Sequence, residues 1–177
     1  KATLQNNKCI DNKLVAVGVT QGSTATICGN HFSRTGGMPP IIAVRDGSTA
    51  TIQNNVIQGG GVAAVLVQGN VRLNDNIFVG TGAKQGNAVW AWEGSSVIVS
   101  DNAFDGYRAA VNASKSTMIV TGNTIERFQR TAIIVKDSQR PAHVYGNKAT
   151  TVDPQAKVVD VQGPSGVVES NKLLNGA

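Results

Sequence analysis

Two short hydrophobic patterns alternate along the chain. The first appears in TLQNNKC, TICGNHF, TIQNNVI, RLNDNIF, IVSDNAF, IVTGNTI, HVYGNKA and VVESNKL. In each, an apolar residue stands three before an Asn, and in most copies another stands two after it. The second pattern is strict alternation, seen in KLVAVGV, PIIAVRD, GVAAVLV, NAVWAWE, RAAVNAS, TAIIVKD and KVVDVQ. Alternation with period two marks strands, and no stretch shows the 3.6-residue period of a helix. The arms are separated by Gly, Ser, Asp and Thr, residues that favour turns. The pattern therefore predicts units of two or three short strands and an all-β fold without helices.

The recurring Asn residues are Asn7, Asn30, Asn55, Asn76, Asn102, Asn123, Asn147 and Asn171, spaced 21 to 26 residues apart. A unit this small cannot bury its own apolar face, but stacked copies bury one another's. Eight stacked units with parallel strands about 4.8 Å apart predict a rod of roughly 35 to 40 Å. One position before each Asn stand Asn6, Gly29, Asn54, Asp75, Asp101, Gly122, Gly146 and Ser170. Gly, Asn and Asp tolerate positive φ, so this column reads as a left-handed corner between strands. The Asn beyond it turns inward and is expected to hydrogen-bond the next Asn along the stack, forming a ladder. The core columns are expected three before the Asn, from Leu4 to Val168, and two after it, from Cys9 to Leu173. The repeat fills 1–177 as one domain.

Composition agrees with this pattern. Val, Ile and Thr number 49 against 6 Leu and 3 Glu, with 20 Gly and 16 Asn, a balance that favours pleated strands and turns. An apolar fraction of 41% excludes a disordered chain, and no apolar run is long enough to span a membrane. The net charge of +5 is scattered and aromatics are 5%. This disfavours nucleic acid as a partner and leaves a mild attraction to acidic polymers. Two Cys make no disulfide framework. Cys9 falls in a core column and Cys28 points outward, so a bond between them is not expected. His31 and His143 stand too many coils apart to share a proton.

These columns and the Asn ladder resemble the right-handed parallel β-helix repeats of the pectate lyase-like superfamily. The resemblance covers nearly the whole chain. It implies a β-helix of about eight coils in a secreted or cell-surface protein. The superfamily includes pectate lyases, polygalacturonases, alginate epimerases, phage tailspikes and noncatalytic surface proteins, so the fold alone does not assign an activity. Its enzymes work in a cleft along an outward face, fenced by corner loops. Here the variable loops fall at 33–40, 79–87, 105–109, 126–130 and 150–156, all at one corner. The chain departs from the catalytic signatures: it has no aspartate cluster, no polygalacturonase motifs, and Gln155 follows Asp153-Pro154 where an epimerase carries His.

The catalytic candidates are Asp105 and Glu126, each three after its Asn on neighbouring coils. Stacked carboxylates about 5 Å apart match the spacing used by retaining glycosidases. Tyr107, Arg108, Arg127 and Arg130 crowd the same corner, where guanidinium groups suit a uronate. A salt-bridge patch of Arg and stacked acids is the plainer reading of those residues. Asp75 and Asp101 are the candidate calcium ligands, though as corner residues they need no metal, and no other cofactor is expected. Trp90 and Trp92 share one face of a strand. Aligning VRDGSTATI (44–52) with AWEGSSVIV (91–99) turns both indoles outward; the opposite register buries them. Two indoles would overfill one narrow coil, which favours the outward register and a flat platform for sugar rings.

Three functions fit. The first is an extracellular module binding polysaccharide, acidic by the Arg corner. The second is a polysaccharide lyase, glycoside hydrolase or epimerase, or a fragment of one, using Asp105 and Glu126. The third is a noncatalytic structural rod. With no cap at either end of the repeat, flanking domains or end-to-end self-association are expected.

Overall fold

A computed structural model describes residues 1–82 and 86–175. It is a parallel β-solenoid built from three sheets of eight, eight and seven strands, with about seven turns where the repeat count predicted eight. One turn shows the plan. Thr24–Cys28 lies in the first sheet, His31–Arg34 in the second, Ile42–Val44 in the third, and Thr49–Gln53 begins the next coil above the first strand. Every pairing is with the equivalent strand one coil away, in parallel register, as in Ile27↔Ile52 and Phe32↔Ile57. The backbone of each coil is thus satisfied by its neighbours rather than by itself.

The corner between the first two sheets follows the sequence column by column. Asn6, Gly29, Asn54, Asp75, Asp101, Gly122, Gly146 and Ser170 all take φ between 55° and 68°. Gly takes this conformation without steric cost, and Asn and Asp adopt it more readily than other side chains, which is why they recur there. The next residue is the ladder Asn. Asn76 donates its backbone N–H and Nδ2 to Oδ1 of Asn102, both at 3.0 Å. Asn102 does the same to Asn123 at 2.9 and 3.1 Å. The chain of bonds runs unbroken from Asn7 to Asn171. Each Nδ2 from Asn30 to Asn171 also reaches the carbonyl of a core residue one coil back, as Asn102 does to Leu73.

The interior is a set of stacked columns. Ile27, Ile52, Leu73, Val99, Val120 and Val144 form one; Phe32, Ile57, Phe78, Phe104, Ile125 and Ala149 form another; all are buried. Phe78 and Phe104 stack face to face with centroids 4.8 Å apart. Leu4 and Cys9 in the first coil are half-buried, while Val168 and Leu173 in the last are exposed. Cys9 and Cys28 are unbonded thiols. His31 and His143 sit on different sheets.

The third corner, between the third sheet and the next first-sheet strand, carries a second polar stack: Ser48, Ser95, Ser116 and Ser138 are buried. The hydroxyls of Ser95 and Ser116 lie 2.9 Å apart and reach the Trp92 carbonyl at 2.6 and 2.8 Å.

Cutting one rung of the ladder should destabilise the whole rod. Asn102→Ala removes the acceptor for two donors of Asn76 and the donor to Leu73. Buried unpaired groups cost ~1–3 kcal/mol each, so a loss of about 2–4 kcal/mol is expected in urea unfolding. The exposed Asn70→Ala should change stability by no more than about 0.5 kcal/mol.

Candidate functional site

The variable loops do gather at one corner, between the second and third sheets; residues 83–85 of the 79–87 loop lie outside the described residues. The third-sheet strand Asn87–Ala91 places Val89 and Ala91 inside, in columns with Val65 and Val67. Trp90 and Trp92 therefore face outward, and Trp92 is 37% exposed. Turn length decides this. Arg45–Ser48 and Trp92–Ser95 are closed by the same bond, from the Ser N–H to the carbonyl three residues earlier, at 3.1 Å in both. Equal turns preserve the parity of the strands before them. The two indoles meet edge to face, with centroids 5.0 Å apart and planes at 84°.

Trp90 forms one wall of a cleft of about 480 Å³ that crosses several coils. Five of its lining residues are glycines, Gly36, Gly37, Gly60, Gly61 and Gly86, and Met38 and Val62 line it too. A Cβ on Gly86 would stand 2.3 Å from the Gly61 carbonyl oxygen, so the coils meet there only without a side chain. Arg108, Asn87 and Asn112 supply the polar groups. Arg108 is exposed and has no carboxylate within salt-bridge distance among the described residues. Beyond Trp90, a second depression of about 330 Å³ is lined by Trp92, Glu93, Ser114 and Lys115. Lys115 and Glu93 pair at 3.6 Å.

The Arg cluster expected at this corner is divided. Arg108 lines the Trp90 cleft, while Arg127 turns to Asp105, giving Nε and Nη2 to the two carboxylate oxygens. That hydrogen bond and charge push Arg127 above its ordinary pKa. Arg130 is exposed and lines neither Trp cleft, and its carbonyl accepts the Lys157 N–H at 2.8 Å. Asp105 and Glu126 are register partners, as the stacking predicted. Glu126 lines a separate cleft of about 380 Å³ with Arg127, Phe128 and Val152, and Asp105 is not part of that lining. The arrangement at Asp105 is that of the salt-bridge patch.

Tyr107, expected beside the arginines at a binding surface, lies inside. It is 4% exposed and donates its hydroxyl to the Gly59 carbonyl at 2.8 Å. The ring ties its loop to one two coils earlier, and burial pushes the phenol well above its ordinary pKa. Asp75 and Asp101 occupy left-handed corners, and Asp75 accepts a hydrogen bond from Asn74. No three His, Cys, Asp or Glu side chains come together among the described residues.

Parallel strands winding through three sheets around a closed core define the class: a parallel β-solenoid. The chain belongs to the family described as the right handed beta helix region, which it matches over residues 1–104 and again over 40–176. The overlap of the two matches is natural for a repeat. Comparison with curated proteins and with solved structures gave no match.

Tyr107→Phe tests the buried anchor. Loss of its bond to Gly59 should cost about 1–2 kcal/mol at neutral pH. The raised phenol pKa also has a sign: the folded state disfavours phenolate, so its stabilisation is complete below the ordinary value of ~10 and falls as pH rises above it. Stability measured against pH should fall more steeply above that point in wild type than in Tyr107→Phe.

Proposed function

We propose that this rod is a binding module for acidic polysaccharide, met outside the cell or at its surface, with Trp90 and Arg108 as the principal contacts. The observation that carries the reading is their shared cleft: a half-buried indole and an exposed guanidinium line it together, and among the described residues no carboxylate pairs with that guanidinium. Sugar rings present apolar C–H faces that stack on an indole, while an Arg fork suits a uronate carboxylate. The half-buried Asn112 offers amide groups for hydroxyls in the same cleft, with its Nδ2 also reaching Oδ1 of the buried Asn87 at 3.5 Å. The volume of about 480 Å³ falls in the range of ligand-binding clefts. Trp92 and Lys115 extend the surface on the far side of Trp90. The net charge of +5 adds a weak, salt-sensitive attraction for a polyanion. The catalytic alternative at Asp105 and Glu126 draws less support, because Asp105 already engages Arg127 through both oxygens.

Titration with oligogalacturonate and oligoalginate, read by tryptophan fluorescence and calorimetry, tests the proposal. Trp90→Ala should weaken binding by roughly tenfold, through loss of stacking area. Arg108→Gln should weaken binding of the charged oligomers by about tenfold or more and leave neutral oligosaccharides little changed. Asp105→Asn with Glu126→Gln should leave affinity intact. Fluorescence and heat that respond to neither oligomer would return the noncatalytic rod as the reading.

A further inference from the structure

Trp92 does not line the Arg108 cleft, although it is the more exposed of the two indoles. It lines the depression of about 330 Å³ instead, with Trp90, Glu93, Ser114 and Lys115. The charged side chains there are open to solvent: that of Glu93 is 70% exposed and that of Lys115 is 55% exposed. The backbone beneath them is fixed. The Trp92 N–H donates to the Val67 carbonyl at 2.9 Å, and the Trp92 carbonyl accepts from the Ser95 N–H and from the hydroxyls of Ser95 and Ser116. The Gly94 N–H donates to the Lys115 carbonyl at 3.1 Å, which ties together the turns that carry Glu93 and Lys115.

The two indoles stand at 84° to each other. The flat platform expected from the sequence is therefore a corner, and one sugar ring can lie flat on one indole but not on both. A right-angled pair instead partly surrounds a compact, rounded group. Indole faces carry negative charge density, and Glu93 brings a carboxylate to the same depression. That combination suits a cation. A trimethylammonium group matches it closely, because it has no N–H to satisfy and spreads its charge over methyl groups that can touch aromatic faces. The pair between Glu93 and Lys115, at 3.6 Å, is an exposed contact that contributes little to stability, so both charges are open to a ligand. Lys136, also exposed, is the register partner of Ser114 on the following coil. The lysine side suits an anion as the Glu93 side suits a cation, so the matching ligand carries both charges a short distance apart.

We propose that the corner of Trp90 and Trp92 binds a phosphocholine group, with its trimethylammonium against the indoles and Glu93 and its phosphate on Lys115. The site shares Trp90 with the Arg108 cleft, but neither its ligand nor its test depends on the polysaccharide reading.

The test follows the two indole Nε1–H resonances of the intact protein by NMR at constant ionic strength, assigned by their loss in Trp90→Phe and Trp92→Phe. Phosphocholine should shift both saturably in the millimolar range, and so should choline. The uncharged analogue of choline, with carbon in place of nitrogen, should bind about tenfold more weakly or worse. Glu93→Gln should weaken choline and phosphocholine by about tenfold. Lys115→Gln should weaken phosphocholine and leave choline no weaker. Arg108→Gln should leave phosphocholine binding unchanged, and Glu93→Gln should leave oligogalacturonate binding unchanged, so the two readings fail separately. Cosedimentation with phosphatidylcholine vesicles then distinguishes a lipid headgroup from a free solute as the source, and either source supports the proposal once free phosphocholine binds. Indole signals that phosphocholine does not shift saturably overturn it. So does an uncharged analogue that binds as well as choline, which would make the corner merely apolar, or a Glu93→Gln variant that binds choline as wild type does.

Discussion

The structure depends on one constraint: no coil can satisfy its own backbone or bury its own apolar side chains. Both are supplied by the coils above and below, through parallel pairing and through columns such as Ile27, Ile52 and Leu73. Stacking works only if each coil turns its first corner alike. The left-handed residue and the Asn after it enforce that, because the Asn amide bonds its own coil's neighbours in both directions along the rod. A shift of one coil against the next would break an amide pair as well as a core contact. The polar ladder thus sets alignment while the hydrophobic columns supply most of the cohesion.

The three corners share the work unequally. The ladder corner is fixed in length. The serine corner is less regular, but its hydroxyls hold the Trp92 backbone from inside. The corner between the second and third sheets takes loops of different lengths, and the Trp90 cleft and Arg34 both belong to it. A rigid stack that leaves one corner free to vary is a natural scaffold for a site, since loop changes there disturb neither ladder nor core. Tyr107 and Gly86 show how such loops are fastened, one by a buried hydroxyl and one by backbone contact that only Gly permits.

Two arginines display the same chemistry in opposite surroundings. Arg127 meets Asp105 in a largely solvent-exposed pair. Screening and side-chain entropy make such pairs worth little to stability, typically ~0–1 kcal/mol. Arg34 lies inside, with Nη1 on the carbonyls of Leu14 and Asn12 and with Nε and Nη2 meeting no protein acceptor, where an uncompensated charge has large consequences. Position in the coil, rather than residue type, separates an exposed ion pair from a buried guanidinium held by backbone carbonyls.

The sequence by itself determined the repeat, the absence of helix, the core columns and the corner column. These follow from local rules: period two along a strand, positive φ at a corner, and an inward amide after it. It also placed Asp105 over Glu126, because neighbours in a stack share a column. Only the tertiary structure decided what the loops do. Alternation alone left Trp90 and Trp92 with two registers, and the turn at Trp92–Ser95 selected one. Arg108 parted from Arg127, and Tyr107 went inside to a carbonyl 48 residues earlier. Arg34 was hidden in a segment that read as loop. A loop's path depends on which other loops it meets across the stack, and no periodicity in the chain encodes that meeting.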